Sequence, residues 1–543
     1  MFTRMCCLTG MMLVAVVLPA RANEADRLLK QEIDRREQER RERRWDESHS
    51  PGGTLSVPEA TKPATPAGPC FPVQHIDISP STVLPTTETT ALIKNWAGRC
   101  LFASDLAALQ EGLNAIAMRQ GLITTRAVVP EQNLASGRLR LELWPGVVEG
   151  VRAPSLSYME YQFALPLKRG DPVQLRALEQ AVDNLNRLSS VQASIELFPG
   201  ETPGGSVIDI TAARNRPWQA RADWQGVALN REPTQTLRGS VSLDSPLRLV
   251  DRLTLGVNAN LQDGQVDDAN GASLDYDLPF GWWRFGFGTD RFAYENALTA
   301  GITHFQATGK SRAWRSELSR ALHRNVRQRL SLAVHTHQRI SENLIEGTVV
   351  GVSSYRVRAT GLRIDHAYIA APWLFDTRID AEYGQTRSAA PVNPFDASYW
   401  RYIGNSRVQY RHGRASLSAA LSAQASDARL PPGEQFSLTG QTGGYDPVAV
   451  SADTAVGLRM EAGWTWPARI AGFHDVRSTI GVNWAMNPER PDGERTELST
   501  ATTGLVLSWP RALLHLDVAI PLKKLEPEPA PAAQLNAGVN LQW

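Results

Sequence analysis

The chain has 543 residues and a formal net charge of +1, so its overall charge makes no electrostatic case for binding nucleic acid. Hydrophobic residues make up 42% of the sequence, but no run approaches the roughly 20 consecutive apolar residues that a membrane-spanning helix needs. These observations argue against a nucleic-acid-binding protein and against a helical membrane protein.

Residues 1–22 are typical of a signal peptide. Arg4 precedes an apolar stretch, and Ala20-Arg21-Ala22 has the small-x-small pattern of a signal-peptidase site. Cys6 and Cys7 lie within or before the apolar stretch, so neither would become the first residue of a lipoprotein. A short buried helix is the alternative, but we expect an exported mature chain.

Residues 23–47 predict a polar helix, and residues 48–69 predict a linker. Acidic and basic residues lie three or four positions apart in the first segment, for instance Glu32 and Arg36, which supports an exposed helix. Its apolar residues are too few for a core. The second segment holds five prolines among Gly, Ser and Thr, which is linker composition.

Two cysteines remain after export, Cys70 and Cys100. In an oxidising compartment an isolated pair favours a disulfide over a metal site, because no further thiols complete a zinc shell. A bond across this separation would stabilise the fold by about 3 kcal/mol through the unfolded chain.

An internal repeat follows the linker. One predicted helix starts at Ser104, stops before Gly121 and carries the apolar stripe Leu106, Leu109, Leu113 and Ile116. The same spacing returns 69 residues later, after Asp171-Pro172 as predicted cap and first turn, at Leu175, Leu178, Val182 and Leu185. The strand-like "LELWPG" (141–146) is echoed by "IELFPG" (195–200). Residues 70–149 and 150–216 therefore predict two α+β modules, each with a sheet that has an exposed edge.

From residue 217 onward the apolar pattern has a period of two. Runs such as 253–261, 415–423, 480–486 and 514–522 alternate apolar with small or polar residues, and polar turns separate them. This alternation is typical of transmembrane β-strands. A soluble sandwich is the alternative, but 217–543 is too long for an ordinary one. At about 20 residues per strand and turn, the segment predicts a membrane β-barrel of about 16 antiparallel strands.

The last nine residues, "LNAGVNLQW" (535–543), fit the closing strand of such a barrel. Alternate residues from Leu535 to Trp543 are apolar, and the residues between them are polar or glycine. We interpret Trp543 as an aromatic signal that is read by the barrel assembly machinery.

Two stretches resemble the POTRA modules of two-partner secretion transporters, the haemolysin secretion/activation family. "CFPVQHIDIS" with "DLAALQEGLNAIAMRQGLITTRAVVPEQNLASGRLRLELWPGVVEGV" resembles the first module, and "GDPVQLRALEQAVDNLNRLSSVQASIELFPG" resembles the second. "VAIPLKK" (518–524) resembles the fifteenth barrel strand of the family. The resemblance implies a plug helix at 23–47, two periplasmic POTRA modules and a 16-stranded outer-membrane barrel.

The resemblance implies a transporter that carries no catalytic residues and no cofactor. An unfolded exoprotein of haemolysin, adhesin or toxin type would add its N-terminal secretion domain as a strand to a POTRA edge and then thread the pore. The polar plug helix would occupy the lumen and leave it for transport. Other implied partners are outer-membrane lipid and lipopolysaccharide, and the expected state is a monomer.

The long segment 427–455 breaks the strand alternation and matches the sixth extracellular loop of the family, which folds into the lumen. The family carries Val-Arg-Gly-aromatic at the loop tip, whereas the matching residues here are Thr442, Gly443, Gly444 and Tyr445. The family's acidic partner on strand thirteen matches Asn483. Both charges of a buried ion pair are thus missing, which avoids leaving either charge alone. A misaligned loop is the alternative.

Other functions have weaker support. No Gly-x-Ser-x-Gly elbow indicates an outer-membrane hydrolase, and porins lack POTRA-type modules. His335 and His337 share one strand face, but no third ligand is visible nearby in the sequence, so we interpret them as polar lumen residues and predict no metal site. The nearest alternative function is an outer-membrane protein assembly factor of the same superfamily.

Overall fold

The computed structural model describes most of the chain after the predicted linker. The described residues are 33, 35, 69–228, 234–262, 269–300, 303–325, 327–445, 450–467, 474–488, 495–523 and 533–543. The predicted signal peptide lies outside them, as does the predicted helix 23–47 except for Ile33 and Arg35, and the linker except for Pro69. Within these ranges, no helix combines the length and apolar character needed to cross a membrane.

The first α+β module contains a three-stranded sheet and two helices. Its elements are β1 Phe71–Val73, β2 His75–Ser79, α1 Thr86–Lys94, β3 Arg99–Leu101, α2 Ala103–Arg119, β4 Arg126–Val128, a 3₁₀ turn Leu134–Ser136 and β5 Arg138–Trp144. β5 lies in the middle of the sheet, parallel to β2 and antiparallel to β4. Fully buried leucines of α2 and β5 form the core, so α2 covers one face of the sheet.

The second module repeats this order of elements. It consists of β6 Val147–Arg152, α3 Tyr158–Ala164, α4 Leu175–Asn186, β7 Val191–Pro199 and β8 Gly205–Arg214. β8 lies in the middle, parallel to β6 and antiparallel to β7. Helices α2 and α4 occupy equivalent places, but the echoed hexapeptides do not. "LELW" lies on the central strand β5, whereas "IELF" lies on the edge strand β7.

Both predicted helix starts differ from the structure. Helix α2 begins before Ser104, and the carboxylate of Asp105 accepts a 2.8 Å hydrogen bond from the backbone N–H of Phe102, so Asp105 rather than Ser104 caps the first turn. Helix α4 begins three residues after Pro172, and the carboxylate of Asp171 accepts from the backbone N–H of Lys168 at 2.8 Å. Asp171-Pro172 therefore belongs to the preceding turn.

The remainder of the chain forms a closed antiparallel barrel of sixteen strands, which confirms the predicted fold class. The barrel strands are β9 Trp218–Ala228, β10 Thr234–Asp244, β11 Arg252–Gln262, β12 Asn270–Phe280, β13 Trp283–Ala300, β14 Thr303–Arg324, β15 Gln328–Ile345, β17 Tyr355–Ala370, β18 Trp373–Ser388, β19 Ser398–His412, β20 Ala415–Ser426, β23 Ala455–Pro467, β24 Asp475–Met486, β25 Glu497–Ser508, β26 Ala512–Pro521 and β27 Gln534–Gln542. The short β16 Thr348–Val349 pairs only with the end of β15, beside a 3₁₀ turn Gly351–Ser353.

The terminal strand closes the barrel as predicted. β27 pairs with β9 from Leu535 opposite Ala228 to Gln542 opposite Arg221. At the chain end, the backbone N–H of Trp543 donates to the carbonyl oxygen of Ala220 at 3.0 Å, and the side chain of Trp543 is exposed. The last residue thus takes part in the seam between the first and last strands.

The barrel wall is much taller on one side than on the other. β13, β14 and β15 contain 18, 22 and 18 residues, whereas β27 contains nine. Beyond Ala293, β13 pairs with β14 and with no other described strand, so among the described residues this hairpin extends past β12.

Aromatic side chains mark two levels on the outer wall. Trp373 and Tyr410 lie 4.8 Å apart near one end of β18, and Tyr383 and Trp400 lie 5.4 Å apart ten residues further along it. Ten residues of a strand tilted by about 40° span about 25 Å, the height of the apolar band of an outer-membrane barrel. Exposed aliphatic side chains such as Ile379 lie between the two levels.

Candidate functional site

The barrel interior contains a cavity of about 320 Å³ to which several parts of the chain contribute. Its lining includes Ile33 of the N-terminal segment, Arg187 of the second module, wall residues such as Arg315, and Glu434 of the loop between β20 and β23. The interior is therefore not an open tube, because segments from outside the wall reach into it.

Ion pairs cover the inner wall. Arg315 lies 2.5 Å from Asp290 and also pairs with Asp275, so one guanidinium bridges two neighbouring strands. Asp365 accepts from Arg378 at 2.6 Å and from Arg363 at 3.0 Å. Alternating charges of this kind suit a hydrated lumen rather than an apolar core.

The loop between β20 and β23 has its own structure and core. It contains a 3₁₀ turn Pro432–Glu434, β21 Phe436–Ser437, α5 Leu438–Thr442 and β22 Ser451–Ala452. Buried Leu438 and Tyr445 pack against Ala485 of β24 and Leu498 of β25. The loop lies between the eleventh and twelfth barrel strands, so it is the sixth loop at the end of the barrel opposite the two α+β modules. We name it the lumen loop (427–454).

The tip of the lumen loop is held by hydrogen bonds to its backbone. Asn483 Nδ2, on the thirteenth strand, donates to the carbonyl oxygen of Thr442 at 2.9 Å, and Thr500 Oγ1 donates to that of Gly443 at 2.9 Å. The backbone N–H of Gly444 donates to Gln534 Oε1 at 2.9 Å. Polar contacts from three strands thus hold the tip where the family pattern would place an ion pair.

Tyr445, the last residue of the tip, contacts the wall through its hydroxyl group. The hydroxyl of Tyr445 lies 2.9 Å from the carbonyl oxygen of Ser499 and 2.8 Å from that of Lys523, which follows β26. The aromatic ring is buried among the loop core residues.

Gly443, which the resemblance matches to an arginine, has a backbone conformation that suits glycine. Gly443 has φ 67° and ψ 173°, a conformation that is open almost only to glycine. A Cβ there would meet no atom within 4 Å, so the obstacle to a side chain is the backbone rather than space. An arginine would require a different path of the tip.

A second anchor fixes the lumen loop through a buried carboxylate. Glu434 is 2% exposed and lies 2.7 Å from Arg401 Nη1 on β19. Arg339 on β15 donates to the carbonyl oxygen of Gly433 at 2.9 Å. A Cβ at Gly433 would approach this guanidinium to within 2.2 Å, so a side chain there would displace Arg339 from its present position. At this anchor the loop carries the acid and the wall carries the bases.

His335 and His337 do have a third potential ligand beside them. One ring nitrogen of each histidine and a carboxylate oxygen of Glu382 all lie within 4.8 Å of one another. Glu382 lies on β18, 45 residues after His337 in the sequence, so its proximity could not be read from local spacing. The side chains of these residues can offer nitrogen and oxygen ligands to a metal ion.

The second module docks on the short turns at the other end of the barrel. Asn184 Nδ2 of α4 donates to the carbonyl oxygen of Gly281 at 2.9 Å, and the rings of Phe163 and Phe280 meet edge to face with centroids 5.2 Å apart. Ser189 and Ser190 both donate to the carboxylate of Asp244 at 2.9 Å. These contacts join the module to two neighbouring turns of the wall.

Glu160 connects the second module internally and to the barrel. Its carboxylate accepts from Arg214 at 2.7 Å, from the backbone N–H of Ser157 at 2.8 Å and from Ser245 of the β10–β11 turn at 3.0 Å. Burial raises the pKa of Glu160, but these hydrogen bonds outweigh burial and place the pKa below its usual value.

Cys70 and Cys100 lie together in the first module. Cys70 and Cys100 form a disulfide with a Cα–Cα distance of 5.3 Å, next to the paired strands β1 and β3. The bond lies far in sequence from the barrel and fastens the start of the module to the segment before α2.

Comparisons with known proteins cover almost the whole described chain. A family model described as "Haemolysin secretion/activation protein ShlB/FhaC/HecB" matches residues 204–505. A ShlB-type POTRA domain matches residues 71–146, and a further POTRA domain matches residues 147–199.

Curated proteins and a solved structure give the same picture. An "Outer membrane transporter CdiB" from Dickeya dadantii (strain 3937) is 25% identical over 459 residues, which cover 81% of both chains. A "Hemolysin transporter protein ShlB" from Serratia marcescens is 25% identical over 479 residues, which cover 84% of both chains. The structure of "CdiB from Escherichia coli" covers 95% of this chain and 98% of that chain with a TM-score of 0.85 and 22% identity, a likeness of fold.

Proposed function

This chain belongs to the haemolysin secretion/activation family, and we propose that it secretes an unfolded exoprotein of haemolysin, adhesin or toxin type through its barrel. It is an outer-membrane transporter with POTRA domains on the periplasmic side. The observation that carries the proposal is the shared cavity, because Ile33, Arg187 and Glu434 reach the same interior from the N-terminal segment, the second POTRA module and the lumen loop. A pore closed by movable parts of its own chain suits gated passage.

The N-terminal helix is proposed to plug this pore. Ile33 is helical and packs against the buried cluster of Ala269, Phe292 and Tyr294, and it also lines the lumen cavity. A helix with few apolar residues makes a weak contact of this kind, which it can break when cargo arrives. Deleting residues 24–47 while keeping the linker is expected to raise conductance in planar bilayers without loss of the heat-resistant barrel. Unchanged conductance would place the helix outside the pore.

Cargo recognition is proposed at the free edge of β7 in the second module. β7 is nine residues long and lies at the end of its sheet, and no other described strand pairs with its outer side. The other edge, β6, is partly covered, because Val148 and Gly170–Asp171 exchange backbone hydrogen bonds. An extended peptide can add to a free edge through backbone hydrogen bonds alone.

The side-chain contacts of β7 show which of its backbone groups face outward. The side chain of Asn186 accepts from the backbone N–H of Ala193 at 2.6 Å and donates to its carbonyl oxygen at 3.1 Å. The backbone N–H and carbonyl groups of Ala193 therefore point away from β8. Because hydrogen bonding alternates along an antiparallel strand, the backbone N–H and carbonyl groups of Ile195 and Leu197 point the same way as those of Ala193. Their N–H groups are the donors available to an added strand.

Ile195→Pro tests this edge. It removes an outward N–H without removing a bond to β8, and we expect it to reduce secretion strongly. Ile195→Ala is the matched control, since it loses the same side-chain packing and keeps the backbone donor. Equal secretion by the two variants would place recognition elsewhere.

Secretion itself is tested by co-expression with a large candidate exoprotein that carries an N-terminal secretion domain. Release of that exoprotein into the medium is expected only when the transporter is present. Release that does not depend on the transporter would contradict the proposal. A general loss of other barrels on deletion would favour the assembly-factor function instead, for which the family match gives no support.

A further inference from the structure

We propose that the pore wall holds a divalent transition-metal site formed by His335, His337 and Glu382, with Glu434 of the lumen loop as fourth ligand. The inference goes beyond the secretion function and does not depend on the identity of the cargo. It assigns to the lumen loop a metal-dependent attachment to the wall.

The register of three strands brings the first ligands together. His335 on β15 lies opposite Gly361 on β17, which lies opposite Glu382 on β18, so the three form one row across the wall. A Cβ at Gly361 would lie 2.6 Å from His335 Nε2. The glycine therefore lets the imidazole lie across β17 and reach toward β18. His337 is two residues along the same face of β15.

The distances suit ligands around one ion better than they suit hydrogen bonds. His337 Nε2 lies 3.5 Å from Glu434 Oε2 and 3.9 Å from Glu382 Oε1. Zinc bonds of about 2.0–2.2 Å place tetrahedral ligand atoms about 3.3–3.6 Å apart. The His337–Glu434 distance already falls in this range, and the His337–Glu382 distance is slightly longer. Both carboxylate oxygens also pair with Arg401, at 2.7 and 2.8 Å, so the guanidinium holds them beside His337.

Asp380 supplies the support that metal-binding histidines commonly have. His335 Nε2 lies 2.9 Å from Asp380 Oδ1. This hydrogen bond fixes the ring and leaves Nδ1 for a metal, as in the carboxylate–histidine–zinc arrangement. Asp380 is itself 7% exposed, so the orienting carboxylate is a buried, held group.

The net charge of the cluster also favours binding of a cation. Three carboxylates (Asp380, Glu382 and Glu434) face two guanidiniums (Arg339 and Arg401), which leaves one net negative charge when both imidazoles are neutral. Glu434 Oε1 is buried and makes no hydrogen bond to any described residue. Oε1 lies 3.7 Å from Arg339 Nε, so it is held less closely than Oε2, which lies 2.7 Å from Arg401. Mixed nitrogen and oxygen ligands favour zinc, copper or nickel over calcium or magnesium.

Because Glu434 comes from the loop, metal binding and loop docking stabilise each other. A ligand that binds the docked state better must shift the loop toward that state. Zn²⁺ is therefore expected to suppress opening events of the pore, and loss of Glu434 is expected to weaken Zn²⁺ binding.

The test uses the full-length chain, purified without a histidine tag in detergent and titrated with Zn²⁺ under equilibrium dialysis. We expect one Zn²⁺ per chain at saturation, loss of this binding in His335→Ala/His337→Ala, and a roughly ten- to hundredfold weaker affinity in Asp380→Asn. His412→Ala, which removes an exposed histidine at the end of β19, is the matched control and should bind like wild type. Co²⁺ substitution should give visible absorption bands in the wild type and in His412→Ala, and none in His335→Ala/His337→Ala.

Fewer than one Zn²⁺ per wild-type chain overturns the proposal, and this readout stands even where a variant does not fold. Binding that survives the double histidine substitution, or that falls equally in His412→Ala, overturns it as well. In planar bilayers, Zn²⁺ should reduce opening events several-fold in wild type and not in Glu434→Gln. Equal reduction in both would place the ion away from the loop.

Discussion

Asn483 Nδ2 donates a 2.9 Å hydrogen bond to the carbonyl oxygen of Thr442, which fastens the tip of the lumen loop to the thirteenth barrel strand. An asparagine therefore holds the backbone of the loop at the place where the resemblance led us to expect an aspartate and an arginine. The interaction needs an N–H donor on the strand rather than a charge.

Asn483→Asp should loosen the tip more than Asn483→Ala does. The aspartate replaces the donor by a carboxylate oxygen that faces a carbonyl oxygen, at an expected cost of about 1–3 kcal/mol. Opening events in planar bilayers and heat-resistant migration of the barrel are the measurements. Asn405→Asp is the control, because Asn405 accepts from Ser422 through its oxygen and an aspartate keeps that bond. Equal effects of the two aspartates would contradict a specific role for Asn483.

Glu434→Gln should destabilise the loop more than an ordinary surface substitution would. The change leaves the buried guanidiniums of Arg401 and Arg339 short of a counter-charge, and breaking a buried pair typically costs about 3–5 kcal/mol. The matched control is Glu461→Gln, whose partner Arg477 lies 2.7 Å away in an exposed pair, with an expected cost of at most about 1 kcal/mol. Chemical unfolding of the purified barrel compares the two, and similar losses would deny Glu434 a special role.

The second POTRA module should lose stability as the pH falls, through Glu160. Its pKa is lower in the folded state than in the unfolded chain, so its contribution is fully present above the ordinary carboxyl pKa and is lost as the pH falls through the folded value. Thermal unfolding between pH 7 and pH 3 should show a smaller pH dependence for Glu160→Gln than for wild type. The exposed Glu111→Gln should behave like wild type, and a flat wild-type profile would exclude this contribution.

Removing the disulfide should affect the first POTRA module and not the pore. Cys100→Ser frees the chain between Cys70 and Cys100 in the unfolded state, with an expected loss of about 3 kcal/mol. Thermal unfolding of the module and single-channel conductance measure the two effects. Non-reducing mass spectrometry of the wild type should find the two cysteine peptides linked, and two free thiols would contradict the bond.

The barrel could be predicted from the sequence because strand alternation is local. Runs such as 253–261 and 480–486 show the period of two directly, and the terminal run 535–543 pairs with the first strand as its regularity suggests. The partners of Asn483 could be predicted only in outline, from the family pattern. That the bond runs to the backbone of Thr442, rather than to a side chain, depends on the path of the loop.

The clusters in the lumen could not be predicted, because they depend on register between distant strands. Glu382 meets His335 through the pairing of three strands, and Glu434 meets Arg401 through the fold of a loop. No local spacing encodes either contact. For a related reason, the echoed hexapeptides predict two strands but not their places, since similar strand ends can occur at the centre of one sheet and at the edge of another.

The unequal heights of the barrel strands give the exit of the pore a direction. Among the described residues, the hairpin of β13 and β14 extends past the paired part of β12, whereas the pairing of β9 with β27 covers eight residues, from Arg221 to Ala228. A polypeptide that leaves the lumen beside this hairpin meets a wall of paired backbone, so we expect the exit to be less accessible on that side.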